Sequence, residues 1–319
     1  MPSITSTDLA AIATDDTIYV YYQDGTSIHE AFTKDAKTWK SGPVVANDEL
    51  DGNGSPITAF FIRHDGEFDS GRGWESTIHV VYLDKKKTLR ERVRIISKDA
   101  WTPMKFPDDI STAPIQTSRL SSGICHDNTK DKSHQWVFFA QLGDKGQTVV
   151  AEIRKGEKDE HNENKWKWVY RKVLPESPAD ALPGTSLAAS LTDITTYLFF
   201  QDHEGNIVRY DGSYEKWSNK KVVRTNHQVA INSPIAACQW PNGAKPHIFY
   251  ATKNSQDKFV IVEFDESVTE LMAWYPGTRI GAIKFKDSVY VFLKDAFSPV
   301  AISTMVHDGS SWKHGGKIQ

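Results

Sequence analysis

The chain lacks the features that mark disulfide-stapled, membrane-spanning and nucleic-acid-binding proteins. Its 319 residues include only two cysteines, Cys125 and Cys238, and neither has a CxxC partner or a metal-ligand spacing around it. No apolar stretch is long enough to span a bilayer, and the first residues lack the basic and apolar regions of a secretion signal. The formal net charge of −3 gives no excess of positive charge for nucleic acid or an anionic membrane. We therefore expect a cytoplasmic protein with both cysteines reduced and with neither nucleic acid nor membrane as a partner.

Motifs of the common catalytic machineries are missing as well. The chain has no His-x-x-x-His pair, no Gly-x-Ser-x-Gly elbow and no glycine-rich nucleotide loop, so we expect neither a metal nor an organic cofactor. The segment 33–39 faintly resembles the Asp-box turn of sialidases, but Lys37 stands where that turn has glycine. A hydrolase with paired acids remains open, because several glutamates occupy similar places along the chain.

The chain does contain one sequence pattern that repeats six times. Each copy opens with a short run of small and branched apolar residues, and the copies follow one another at intervals of roughly 45 to 67 positions. The openings begin at Leu9, Ile57, Leu120, Leu187, Ile235 and Ile280. Several strands within such a period are typical of a propeller blade.

The rest of each copy also predicts β-structure. A β-branched and aromatic run follows the opening, as in Ile18–Gln23 and Thr196–Gln201, and it lacks helical spacing. A shorter strand and a turn come next, and the turn usually ends at tryptophan. These tryptophans are Trp39, Trp101, Trp168, Trp217, Trp274 and Trp312. Four short antiparallel strands in each of six copies predict an all-β, six-bladed propeller in which residues 1–319 form a single domain.

Two segments resemble the fungal fucose-specific lectins. The segment 18–31, which contains Tyr-Val-Tyr-Tyr-Gln-Asp-Gly-Thr-Ser-Ile-His-Glu-Ala, is the best match, and the segment 197–210 is the second. The resemblance implies a six-bladed propeller that binds sugars in the clefts between blades. It also implies that each site combines an arginine at the start of the second strand, a glutamate on the third strand and an aromatic ring from the neighbouring blade.

The chain departs from that family pattern at the arginine. The matching positions hold Tyr19, His79, Trp136, Tyr197, His247 and Tyr290. The positions matching the glutamate hold Glu30, Glu91, Glu152, Arg209, Glu263 and Thr304, so the acid is kept in four copies. Each lost charged hydrogen bond costs roughly 1.5–3 kcal/mol, which indicates that sugar binding has been abandoned while the blades are kept.

The six replacing residues allow two interpretations. Aromatic side chains at alternating strand positions commonly pack between blades, and that reading needs no ligand. All six can also form hydrogen bonds, so a ring of them suits a large, mostly apolar ligand with a few polar atoms.

Under the second interpretation, the chain resembles the lectin-like propellers that act as hetero-Diels–Alderases in fungal tropolone-sesquiterpenoid biosynthesis. The resemblance implies a cofactor-independent enzyme that joins a tropolone o-quinone methide to a humulene-type olefin, with small terpenoid or polyketide-derived ligands as partners. Such chemistry needs orientation of the reactants and a hydrogen-bond donor on the heterodiene, but no nucleophile. A lectin with degenerate sugar sites and a propeller that binds only a protein partner remain alternatives.

The candidate residues follow from this hypothesis. His79, His247 and Tyr19 are the expected acid–base groups or hydrogen-bond donors, because histidine titrates near cellular pH. Trp136, Tyr197 and Tyr290 are expected to contact substrate, with Glu30, Glu91 and Arg63 as polar partners. We expect these residues in the clefts and at the central mouth of the ring.

Overall fold

The protein is an all-β, six-bladed propeller. A computed structural model describes residues 8–52, 54–69, 74–127, 132–156, 167–173, 181–192, 195–212, 217–218, 220–240, 246–265, 267–274, 277–294 and 302–318. Within these ranges the strands form six antiparallel sheets of four strands each. The predictions of fold class and of strands per blade are confirmed.

The first three blades are built from consecutive strands. Blade one contains β1 (Leu9–Ala13), β2 (Ile18–Asp24), β3 (Ser27–Thr33) and β4 (Lys40–Ser41). Blade two contains β5 (Ile57–Asp69), β6 (Trp74–Leu83), β7 (Leu89–Ile95) and β8 (Thr102–Met104). A short helix, α1 (Asp108–Ser111), leads to blade three, which contains β9 (Leu120–Asp127), β10 (Lys132–Leu142), β11 (Thr148–Gly156) and β12 (Val169–Val173).

The last three blades repeat this order. Blade four contains β13 (Ala188–Thr192), β14 (Thr195–Gln201), β15 (Ile207–Gly212) and β16 (Lys221–Arg224). A 3-10 turn (Asn226–Gln228) precedes blade five, which contains β17 (Ile235–Gln239), β18 (Pro246–Lys253), β19 (Phe259–Asp265) and β20 (Ser267–Ala273). Blade six contains β21 (Ile280–Phe285), β22 (Ser288–Lys294), β23 (Ile302–His307) and β24 (Trp312–Ile318).

The small openings of the six copies explain how the ring forms. The first strand of each blade contacts the first strand of the next, and β1 meets β21 where the ring closes. Gly281 of β21 lies so close to Leu9 that an added Cβ would approach the Leu9 Cδ1 atom to 2.9 Å. Small residues at these positions let six strands converge around one axis. Closure therefore depends on side-chain packing between blades one and six, since each of these sheets is continuous in sequence.

The aromatic runs of the second strands form the cores between blades. Their largest side chains are fully buried, which follows from strands covered on both faces. They include Tyr21, Tyr82, Phe138, Phe139, Phe199, Phe200, Phe249 and Phe292. The predicted packing role of the aromatic runs is thus confirmed for these residues.

Other expectations from composition concern thiols, metals and membrane spans. Cys238 is free and buried, and burial raises the pKa of its thiol, as expected of an inert apolar filler. The side chain of Cys125 lies outside the described residues. In the described part of the chain, no group of three or more His, Cys, Asp or Glu side chains is arranged so that it could hold a metal ion. No helix among those residues is long and apolar enough to cross a membrane.

Candidate functional site: the clefts between the blades

The candidate residues lie where one blade faces the next. On the third strand of each blade, successive side chains point to opposite faces. The residue at the glutamate position therefore faces forward, toward the following blade. The residue three positions later faces backward, toward the preceding blade. In blade two the forward residue is Glu91 and the backward residue is Arg94. Lys155 and His307 are the corresponding backward residues of blades three and six. The clefts are therefore composed of second and third strands of one blade and of the third strand and tryptophan of its neighbour.

The cleft between blades one and two is filled by an arginine. Arg94 Nη1 donates to Glu30 Oε1 at 3.0 Å, and Nη2 lies 2.9 Å from Oε2, so the pair is bidentate. The Arg94 guanidinium carbon also lies 5.3 Å from the Tyr19 ring centroid and 5.1 Å from that of Trp101. Tyr21 donates its hydroxyl to Glu30 Oε2 at 3.0 Å. The guanidinium thus occupies the space between an acid and two aromatic rings.

Burial makes this ion pair energetically important. Glu30 and Arg94 are only 1% and 6% exposed. Burial raises the pKa of the Glu30 carboxyl, while Arg94 and the Tyr21 hydroxyl act in the opposite direction. Burial and the neighbouring Glu30 also raise the pKa of Tyr21, which therefore stays a neutral donor. Glu30 is satisfied entirely by partners within the chain.

The cleft between blades two and three contains a buried charge network. His79 Nδ1 lies 2.8 Å from Glu91 Oε1, and His79 Nε2 lies 3.0 Å from Asp65 Oδ2. Trp168 of blade three donates its indole N–H to Glu91 Oε2 at 3.0 Å. Lys155 of blade three lies 4.0 Å from the same oxygen. Both nitrogens of the histidine and both oxygens of the glutamate are therefore engaged.

The titration of this network follows from its contacts. Burial lowers the pKa of His79, but hydrogen bonds and charges from Asp65 and Glu91 outweigh that effect, and the pKa is raised. Burial raises the pKa of Glu91, but Lys155 and His79 outweigh it, and the pKa is lowered. The geometry favours an imidazolium held between two carboxylates. His79 has no exposed surface, so in this arrangement it cannot touch a dissolved ligand.

The cleft between blades three and four is closed in a different way. Trp217 of blade four donates its indole N–H to Glu152 Oε2 at 3.0 Å, and Arg154 of blade three donates Nε to Glu152 Oε1. Trp136 is buried against Phe138, with ring centroids 4.8 Å apart. The residue that matches Arg94 here is Gly212, and Trp217 fills the space over it.

The cleft between blades five and six is the most open of those that keep the glutamate. His247 Nδ1 lies 2.6 Å from Glu263 Oε1, and Trp312 of blade six donates its indole N–H to Glu263 Oε2 at 2.8 Å. Trp240 stacks on the His247 ring, with centroids 4.1 Å apart and planes 9° apart. His307, the backward residue of blade six, packs against Trp240 and Trp312. The Trp240, His247, His307 and Trp312 side chains are partly exposed.

The two remaining clefts have lost the glutamate. In the cleft between blades four and five, Arg209 lies over the half-buried Tyr197 ring at 5.2 Å and pairs with Asp211 two residues later. In blade six, Tyr290 is buried and meets Phe285 edge-on, with centroids 6.2 Å apart. The cleft between blades six and one is covered by Trp39 of blade one, whose ring meets Phe292 edge-on. This cleft is therefore largely apolar.

The structure therefore distributes the predicted residues over separate clefts rather than joining them in one site. Tyr19 lies beside the Glu30–Arg94 pair, and His79 is bonded to Glu91. Arg63 is exposed and pairs with Asp15, and so lies outside the described cleft networks. The roles assigned to these residues from the sequence stay predictions.

Sequence reasoning missed the residues that fill the clefts, although a signal was present. Arg94, Lys155 and His307 all stand three positions after the third-strand acid position. An odd spacing along a strand places two side chains on opposite faces, so each of these bases must face the preceding blade. Trp240 had no comparable signal, because it lies just after the first strand of its blade.

Comparison with known proteins agrees with this architecture. A lectin structure from Aleuria aurantia, described by its six-bladed propeller fold and fucose recognition, is similar with a TM-score of 0.72 and 17% identity, covering 99% of this chain and 97% of the other. The protein AofleA from Arthrobotrys oligospora has a TM-score of 0.72 at 14% identity, covering 99% and 87%. A lectin from Burkholderia pseudomallei has a TM-score of 0.58 at 13% identity, covering 99% of each chain.

Sequence comparison adds no closer relative. No family model matches the chain, and no curated protein matches it. At these identities the similarity to lectin structures shows the fold alone. The chain is a lectin-like six-bladed propeller.

Proposed function

We propose that this propeller is a cofactor-independent enzyme of fungal secondary metabolism that catalyses an intermolecular hetero-Diels–Alder reaction. Its substrates would be a tropolone o-quinone methide and a humulene-type sesquiterpene. The observation that carries the proposal is the internal occupation of the clefts, which removes the carboxylates expected to bind sugar. The lectin scaffold then remains available for a ligand of different chemistry.

The occupation of the carboxylates argues against sugar binding at these positions. Each retained glutamate accepts hydrogen bonds from the chain itself. Glu30 accepts from Arg94, and Glu91 accepts from His79 and Trp168. Glu152 accepts from Arg154 and Trp217, and Glu263 accepts from His247 and Trp312. A sugar hydroxyl would have to displace a buried charged partner, which costs several kcal/mol. This cost applies at Glu30, Glu91 and Glu152, whose charged partners are buried, whereas the partners of Glu263 are partly exposed.

The cleft between blades five and six is where we place the reaction. Trp240 and Trp312 offer aromatic surface to an olefin, and His247 supplies a polar group beside them. With Nδ1 held by Glu263, the other nitrogen, Nε2, accepts a proton in the neutral ring and donates one in the imidazolium. Nε2 lies 3.4 Å from Oδ2 of Asp265, whose side chain is 53% exposed.

This arrangement matches the chemistry in two respects. The Nε2–H of the imidazolium could protonate the leaving hydroxyl, and the bare Nε2 could then take the proton of the ring hydroxyl as water departs, which forms the quinone methide. The restored Nε2–H could then hydrogen-bond the heterodiene oxygen. The cycloaddition itself forms its bonds without a nucleophile, so catalysis rests on holding both reactants in one orientation. His79 has no contact with solvent, so the proposal assigns the reacting contact to His247 alone.

A second candidate, a fucose- or glycan-binding lectin, is favoured by the fold similarity to lectins. One experiment separates the two: a glycan array run beside an assay with humulenol and a tropolone o-quinone methide precursor. We expect adduct formation above the uncatalysed rate, little glycan binding, and loss of the acceleration in His247→Phe. His227→Phe, which changes an exposed histidine of the 3-10 turn, is the matched control and should remain active. Fucose binding without any change in rate or product ratio would overturn the proposal and support the lectin.

A further inference from the structure

The central cavity has a charged end that the clefts do not explain. The residues just before the apolar openings of the six copies lie at the same end of the ring. Five of them line the cavity, and four of these are polar or charged: Asp8, Arg119, Ser186 and Arg279. They come from blades one, three, four and six, so side chains from different blades meet at the axis. Two cations and a single anion give this end an excess of positive charge.

The carboxylate of Asp8 only partly offsets that charge. Asp8 Oδ1 accepts the backbone N–H of Leu9 at 3.0 Å, and Oδ2 accepts that of Ile57 at 3.3 Å. Arg119 Nη1 approaches Oδ2 only to 4.0 Å, which is beyond hydrogen-bond distance. Burial raises the pKa of Asp8, although Arg119 and Arg279 oppose the rise.

The two arginines have donors to spare. Arg279 Nη1 donates to Ser186 Oγ at 3.0 Å. Burial lowers the pKa of Arg279 to about 10, and the charge of Arg119 adds to the effect while Asp8 opposes it. In the part of the chain that the structure describes, the buried Nε of Arg119 has no hydrogen-bond partner. The two arginine side chains are partly exposed, but a buried donor such as this Nε normally finds an acceptor, so this end of the cavity is short of negative oxygen.

The remainder of the cavity has a different character. Its volume is about 130 Å³, and its walls are formed by the small residues of the opening strands, which include alanines together with the hydroxyl-bearing Thr58, Ser121 and Ser122. The alanines among them are Ala10, Ala11, Ala59, Ala188, Ala189, Ala236, Ala237 and Ala282. An apolar cavity of roughly 150 Å³ in another protein accommodates benzene, so this volume suits a single ring.

We propose that the central cavity binds a small planar organic anion, with its oxygens on Arg119 and Arg279 and its ring against the alanine walls. A pair of oxygens on one planar group, as in an aromatic carboxylate or a tropolonate, matches the fork of a guanidinium. The proposal is independent of the reaction proposed above. The choice of occupant does depend on it: if the chain catalyses the proposed reaction, the natural occupant is tropolonate rather than an aromatic carboxylate.

Calorimetric titration of the full chain tests this site with benzoate and tropolonate as probes and benzamide as the uncharged match for benzoate. We expect at least one anion to bind, benzamide to bind at least tenfold more weakly, and Arg119→Gln or Arg279→Gln to weaken the anion at least tenfold. Arg90→Gln, which changes an arginine paired with Asp84 outside the cavity, is the matched control and should bind as the unaltered chain does.

Several outcomes would overturn the proposal. Binding of neither anion would do so, as would equal binding of benzamide, or anion binding unchanged by the arginine substitutions. If an arginine variant fails to fold, Ala237→Phe reduces the cavity without removing a charge, and undiminished anion binding in that variant would also refute the site. Benzoate binding without tropolonate binding would assign the cavity to carboxylates. Anion binding in a chain that does not accelerate the cycloaddition would leave this site standing and reject the proposed reaction.

Discussion

Replacement of Arg94 by methionine gives the sharpest test of the filled clefts. The variant keeps an unbranched apolar chain similar to the arginine stem but removes the guanidinium, the bidentate partner of Glu30, which is 1% exposed. Removing one member of a buried ion pair typically costs about 3–5 kcal/mol, because the other charge stays buried without compensation. Tyr21 still donates one hydrogen bond to Glu30, so we expect a loss near the lower end, about 3 kcal/mol.

The assay is urea unfolding followed by tryptophan fluorescence. Arg90→Met is the control, because Arg90 is 46% exposed and its pair with Asp84 should contribute no more than about 1 kcal/mol. The double variant Arg94→Met, Glu30→Gln removes both charges and should recover most of the loss. If Arg94→Met is no more destabilising than Arg90→Met, or if the double variant is the least stable, the reasoning about a buried pair is wrong.

Three further predictions concern the other clefts. His79→Gln should lower stability most below about pH 6.5. The stability that His79 contributes is complete below its unfolded pKa and declines as pH rises through its raised folded pKa. A difference between variant and unaltered chain that stays constant across a pH series of unfolding curves would refute this. Trp168→Phe should cost about 1–3 kcal/mol in denaturant titrations through the lost hydrogen bond to Glu91, and no loss would contradict the contact. Gly123→Ala should destabilise by about 1–3 kcal/mol, because a Cβ there would overlap the Trp136 ring; unchanged thermal unfolding would argue against that packing.

The sequence predicted the fold well because the fold is repetitive. Six openings of small apolar residues, from Leu9 to Ile280, mark the first strand of each blade, and strand alternation then determines which residues are buried. The recurring tryptophan turns were also recognised in the sequence, but their contacts with the neighbouring blade come from the structure. Trp168, Trp217 and Trp312 each donate to the glutamate of the preceding blade.

The contents of the clefts were harder to predict because they depend on two blades at once. His79 could be recognised as a titratable residue, but its contact with Asp65 depends on the irregular register of the long strand β5. Arg94 and Lys155 belong to other repeats than the glutamates they approach. The cavity end formed by Arg119 and Arg279 combines residues from opposite sides of the ring, and no local pattern relates them.

The stereochemistry of the adduct tests the proposed function most directly. An uncatalysed cycloaddition between humulenol and the quinone methide has no chiral influence from the protein, whereas a catalyst that holds both reactants in one orientation produces an excess of one stereoisomer. Chiral chromatography of the products formed with the unaltered chain, with His247→Phe and without protein measures this. The account predicts an excess with the unaltered chain that disappears in His247→Phe. The same isomer ratio in all three samples would contradict it.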